Sequence, residues 1–278
     1  MEGGRRFPVP APPSLSDDGD LMRALTFSLL LALATAAPAA AEAPVPPAMA
    51  RIPAGRYVPL FINGRPSVAV EAFALDRRPV TRAEYLAFVR AHPRWRRGRV
   101  SAAFAERNYL ASWAAPLAVG TATDARRPVT EVSWFAARAY CAARGARLPT
   151  TDEWEYAALA SETSRNASRD AAFITRLLQL YHTPRPVPPV VGSGFRNAYG
   201  VRDLHGVVWE WVEDFNSLLV SDDSRATGGR DHPLFCAAGV VGATDPGNYP
   251  AFLRYGFRAA LQGRTTVGSL GFRCAQDL

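Results

Sequence analysis

The spacing of apolar and polar positions changes along this chain, and each change predicts a different kind of element. Arg51–Leu60 and Val68–Leu75 read as two strands around an Asn63-Gly64 turn. The second, VAVEAFAL, has the β-branched and aromatic content that suits a pleated sheet. At Thr81 the period lengthens. Thr81-x-x-Glu84 is a capping box, and Tyr85, Phe88 and Val89 supply the apolar face of a first helix. Residues 91–127 sustain no period and read as a long functional or packing loop. Pro128-Val129-Thr130 leads to a second helix, Trp134 to Arg144, closed by Gly145 where a left-handed cap is favoured. Thr150-x-x-Glu153 opens a third, from Thr151 to about Ala160. Phe173, Ile174, Leu177, Leu178 and Tyr181 share one face, which predicts a fourth over 168–181, stopped by Pro184, Pro186, Pro188 and Pro189. From Asn197 onward the pattern is one of short strands and many turns, ending in Leu270-Gly271-Phe272-Arg273-Cys274. There is no internal repeat and no linker after residue 50, so the pattern predicts one domain of α+β type over 42–278.

The chain is organised around Asn197–Phe215, NAYGVRDLHGVVWEWVEDF. Trp209 and Trp211 stand at strand spacing and face one side, while Val208 and Glu210 face the other. Asn197, Gly200 and Gly206 supply turn chemistry at either end of Val201–His205. Two readings of this stretch stay open. It is an aromatic core strand beside a polar turn, or Asp203, Gly206, Val208 and Glu210 converge on a hard cation such as calcium. Calcium takes six to eight oxygens and accepts carbonyls among them.

Composition narrows the function classes. The chain has 278 residues, 48% of them hydrophobic, enough for a sizeable core. All 32 basic residues are arginine, and the net charge of +7 is scattered. Its densest run, Arg94 to Arg99, is too short to track a phosphate backbone, and no nucleic-acid module is visible. Near the start, Met22-Arg23, an apolar run from Ala24 to Ala37 and Pro38-Ala39-Ala40-Ala41 form the parts of a secretory signal. The expectation is a leader over 1–41 with the true start at Met22 and cleavage after Ala41. The run is too short and Ala-rich for a spanning helix. Export to the periplasm, with no stable membrane span after cleavage, follows from that reading. Disulfides persist there. Cys141, Cys236 and Cys274 allow three single-bridge pairings, each leaving one thiol over.

Several catalytic signatures are missing: no phosphate-binding loop, no dinucleotide fingerprint and no nucleophile elbow. His92, His182, His205 and His232 are far apart and show no metal-ligand spacing. Five segments nevertheless stand in a telling order. They are Pro79-Val80-Thr81 with Glu84-Tyr85; Pro128 to Trp134 running into Ala139-Tyr140-Cys141; Gly145 to Thr150 with Glu153-Trp154-Glu155-Tyr156; Gly200 to Asp214; and the closing Leu270 to Cys274. In this order they resemble the formylglycine-generating enzyme (sulfatase-modifying factor) family.

The resemblance implies the family's compact, irregular α+β fold, related to C-type lectins. It implies a disulfide between Cys141 and Cys274, which leaves Cys236 as a free thiol. It places one structural calcium ion on Asp203, Gly206, Val208 and Glu210. The family's second calcium site would fall at about 160–196, where an apolar helix and a proline run replace its polar loop, so that site is expected to be lost. Copper is not expected either. The family's copper cysteines lie five residues apart near the final segment, at places that Gly242 and Leu253 take here, and Cys236 has no partner at that spacing. No iron-binding helical domain precedes residue 50. The function implied is an exported accessory or maturation factor for a protein or peptide partner, of oxidoreductase type if it is an enzyme. A non-catalytic binding module of the same fold is the alternative.

Overall fold

The structure is a computed structural model, and it describes residues 45–61, 66–183, 185–216, 244–245 and 248–278. All of them belong to the unit Glu42–Leu278. Its strands are short and gathered into small sheets. β1 (Met49–Ile52), β4 (Phe73–Asp76) and β7 (Ala275–Asp277) form an antiparallel sheet in the order β1-β4-β7. The C-terminal strand thus pairs with one from the start of the domain. β2 (Gly55–Tyr57) pairs antiparallel with β3 (Val68–Val70), with Tyr57 opposite Val68. β5 (Trp209–Glu210) runs parallel to β6 (Leu270–Gly271).

Each of the two long strands expected from the pattern is two short ones. Pro53 interrupts the first, since it has no N–H to give a ladder. The second breaks at Glu71-Ala72, where the chain leaves one sheet for the other. All four residues of β4 are buried, so its apolar run is that of a central strand and not a two-faced one. The Asn63-Gly64 turn lies outside the described residues.

The helices follow their local signals closely. α1 (Arg82–Ala91) starts at Thr81, whose side chain accepts from the Glu84 amide while the Glu84 carboxylate accepts from the Thr81 amide. Tyr85, Phe88 and Val89 are buried, as their spacing requires. The 91–127 segment holds a 3₁₀ turn, Pro93–Trp95, and a single-turn helix, α2 (Ala122–Ala125). It packs by Tyr109, Leu110 and Trp113, all buried, and Arg97 ties it by donating to the Leu110, Ala111 and Trp113 carbonyls. α3 (Trp134–Ala143) is capped by Ser133, α4 (Thr151–Ala158) by Thr150 with Glu153, and α5 (Ala171–His182) by Asp170. Asp170 accepts from the Ala172 and Phe173 amides, which is why α5 begins at 171 and not at 168.

One helix contradicts the expectation of strands and turns after Asn197. α6 (Tyr249–Ala259) is capped by Asn248 and has proline in its first turn. Its buried face is Pro250, Ala251, Arg254, Tyr255 and Arg258, a regular helical stripe. Two of those five positions are arginines, so a search for apolar periodicity passes over it.

The pairing left open by cysteine count is Cys141 with Cys274, 133 residues apart, both fully buried. The bridge joins α3 to the strand that enters the first sheet. Beside it, Asp76 accepts from the Cys274 amide at 3.0 Å and from both terminal nitrogens of Arg144. Cys236 lies outside the described residues. Closing so long a loop restrains the unfolded chain by about 5 kcal/mol in the entropy model. Replacing Cys141 and Cys274 together by serine should therefore lower stability by about 2–5 kcal/mol, read from denaturant midpoints under oxidising conditions. A midpoint within experimental error of the native one would show that the bridge contributes nothing.

Candidate functional site

Glu210 sits in β5 between the two tryptophans of the central stretch. Trp211 is fully buried and its Nε1 donates to the Val132 carbonyl at 2.9 Å. Trp209 is half-buried and stacks on Phe257 with ring centres 4.8 Å apart. Glu210, pointing the other way, meets Arg273. Arg273 Nε donates to Oε2 at 2.7 Å and Nη2 to Oε1 at 2.8 Å, and both side chains are 0% exposed. Trp154 Nε1 adds a third bond to Oε2, at 2.8 Å. Arg273 spends its other donors on the carbonyls of Asp76 and Arg202. A buried pair this well satisfied escapes the usual desolvation loss.

Asp203 comes next to this pair in the chain but bonds elsewhere. It adopts a left-handed conformation, φ 61°, and its two oxygens accept from the Gly192 and Gly194 amides. Gly206, at φ 79°, occupies a conformation that a side chain would strain. As a donor set, Asp203, Gly206, Val208 and Glu210 offer only oxygen, which suits calcium. Among the described residues, Glu210 Oε1 and both Asp203 oxygens accept one N–H each, so each keeps a lone pair. The residues fit the ion on donor chemistry, although Arg273 already neutralises one of the two carboxylates.

A second buried cluster stands beside the first, and the residue patterns did not point to it. Arg254 and Arg258 are one turn apart on α6, so their side chains share a face. Both reach Glu155 of α4. Arg254 Nη2 donates to Oε2 at 2.6 Å, and Arg258 Nη1 donates to Oε1 at 2.6 Å. Burial alone would raise the Glu155 pKa, but the two guanidiniums outweigh it and hold the carboxyl at about 2. Arg254 Nη1 donates on to the Tyr181 hydroxyl at 3.1 Å. That hydroxyl is 2.7 Å from His205 Nδ1, and His205 Nε2 is 3.1 Å from the Ala158 carbonyl. A carbonyl only accepts, so Nε2 carries the proton and Nδ1 accepts from Tyr181. Burial, seconded by the Arg254 charge, lowers the His205 pKa to about 3 and keeps the ring neutral.

Trp154 connects the two clusters. Its N–H belongs to Glu210, while its ring lies under Arg258 at 4.8 Å and Arg254 at 5.5 Å. Between them opens a cavity of ≈ 240 Å³, walled by Trp154, Trp209, Glu210, Arg254, Phe257 and Arg258 and bordered by Gly206 and Val208. The central stretch therefore does line a site, but half of the site's chemistry comes from α4 and α6. The available sequence signal was Arg-x-x-x-Arg after an Asn-x-Pro helix start.

Three solved structures are similar to the chain. PvdO from Pseudomonas aeruginosa is 20% identical with a TM-score of 0.45, over 83% of this chain and 94% of that one. CarF is 15% identical with a TM-score of 0.45, over 84% and 99%. Treponema denticola variable protein 1 is 18% identical with a TM-score of 0.41, over 82% and 94%. No curated protein sequence matches the chain. The sulfatase-modifying factor enzyme 1-like domain matches residues 35–278, most of the chain, a range that includes the cavity walls and the disulfide. On that match the chain belongs to the sulfatase-modifying factor (formylglycine-generating enzyme-like) family.

Proposed function

We propose that this family member is an exported accessory or maturation factor that engages a protein or peptide partner and does not make formylglycine by the copper route. The observation that carries this reading is the Cys141–Cys274 bridge. The chain has three cysteines, so the bridge leaves Cys236 alone. Copper(I) is selected by soft thiolates, and a single thiolate is a poor site for it. Of the two places that the family gives to its copper cysteines, Leu253 is a hydrocarbon side chain on α6 and Gly242 lies outside the described residues. The export reading rests on the leader pattern of residues 22–41. Among the described residues no helix is long and apolar enough to cross a membrane.

One observation favours the alternative, a binding module without catalysis. Glu210, which lines the cavity, and Glu155 behind it are both ion-paired, and both nitrogens of the neutral His205, also behind the wall, are engaged. The described wall therefore has fixed donors and charges but no free base with a pKa near neutrality, which general acid–base work requires. Such a wall holds a ligand better than it moves a proton.

Two experiments test the main reading. Expressed from Met1 in a bacterial host, the exported protein should have an intact mass that starts at Glu42; a mature form that retains residues before Met22 overturns the leader. The purified, copper-treated protein, incubated under oxygen with a Cys-containing sulfatase peptide, should leave the peptide mass unchanged. Conversion to the aldehyde refutes the exclusion of the copper route. A matching assay of Cys236→Ser then says whether that thiol is involved.

Calcium on Asp203, Gly206, Val208 and Glu210 completes the proposal. An ion bound only by the folded state stabilises it by mass action, so chelation should lower the Tm. Glu210→Ala should abolish that chelator shift. It should also cost about 3–5 kcal/mol by itself, because Arg273 is left buried and unpaired. A wild-type melting curve that chelator does not move, in protein shown to start metal-loaded, removes the ion and leaves Glu210 as the partner of Arg273 alone.

A further inference from the structure

The cavity of ≈ 240 Å³ has more buried positive charge behind it than the described residues balance. Glu210 is matched by Arg273, and that pair is neutral. Glu155 alone faces both Arg254 and Arg258. His205 contributes no charge. Among the described residues one guanidinium charge is therefore held in excess, on side chains that are each 5% exposed. A buried cation of this kind is stable only when something pairs with it.

The hydrogen bonds identify which guanidinium is short of partners. Arg254 donates through Nε and Nη2 to Glu155 and through Nη1 to Tyr181. Arg258 donates only through Nη1, so among the described residues its Nε and Nη2 have no acceptor. Among the described residues, the fully buried side-chain N–H groups without a partner are those of Arg82, Trp95, Trp113 and Arg176, and those of Arg258 are not among them. Arg258 lines this cavity, and its Nε–Nη2 edge is the one without a described acceptor. The Trp209–Phe257 stack lines the same cavity with two aromatic rings.

We propose that the cavity is a carboxylate site, in which the free edge of Arg258 takes the carboxylate and the Trp209–Phe257 stack covers an apolar body. A guanidinium edge presents two parallel N–H groups that match a carboxylate. The volume is below the roughly 300–1,000 Å³ of pockets for drug-sized ligands, so the ligand is a small acid or the terminal residue of a peptide. The site goes beyond the maturation-factor reading and does not depend on whether the protein handles copper.

Phenylacetate is a suitable probe, with phenylacetamide as its uncharged counterpart. Calorimetric titration of the full exported protein, at one fixed calcium concentration, should give at least tenfold tighter binding of the acid. Arg258→Gln should remove at least that tenfold. Because that change also takes one partner from Glu155, Phe257→Ala serves as the second variant. It leaves both ion pairs in place and should weaken phenylacetate several-fold while changing acetate binding little. N-acetylglycylphenylalanine and its C-terminal amide separate the two sources of the carboxylate. If the peptide acid binds tighter than phenylacetate, the ligand is a peptide end; if it binds more weakly, the ligand is a free acid. Equal affinity for phenylacetate and phenylacetamide, no binding of either at millimolar concentration, or full affinity in both variants overturns the proposal. None of these outcomes touches the copper assay, so the two readings fail separately.

Discussion

The rest of the domain depends on the buried pair between Glu210 and Arg273. Each partner comes from a strand of two or three residues or its edge, and such strands contribute few ladder bonds of their own. The guanidinium makes up for this by bonding to Glu210 and to the carbonyls of Asp76 and Arg202. One side chain thereby fastens the C-terminal segment to β5, to the end of β4 and to the turn before Asp203. The disulfide one residue later closes the same junction covalently, and Asp76 joins it from the side. A fold this poor in regular sheet is held in part by a few buried polar contacts such as this pair.

The same logic shapes the cavity. Trp154 gives its N–H to one buried pair and its ring face to the two arginines of the other. The second cluster is asymmetric, with one carboxylate against two guanidiniums. The two guanidiniums lower the Glu155 pKa against burial, while burial first and Arg254 second lower that of His205.

Membership of the sulfatase-modifying factor family covers residues 35–278 and with them every described element of the domain. The five segments on which the resemblance rests build the disulfide, the Glu210 pair and the tryptophan wall. The charged half of the pocket comes from residues outside those segments, Arg254 and Arg258 of α6.

The sequence by itself determined the features that local physics decides. Capping boxes at Thr81 and Thr150 fixed helix starts because cap and partner are three residues apart. Apolar spacing fixed the buried face of α1 for the same reason, and the resemblance pointed to the fold, the disulfide pair and the central stretch. Only the tertiary structure decided the breaks in the strands, the helix after Asn248 and the charged half of the site. Glu210 and Arg273 are 63 residues apart, Glu155 is 99 from Arg254 and 103 from Arg258. A buried arginine has the same letter as one in solvent. Its burial depends on a carboxylate that only folding brings within reach, so polar periodicity cannot show it.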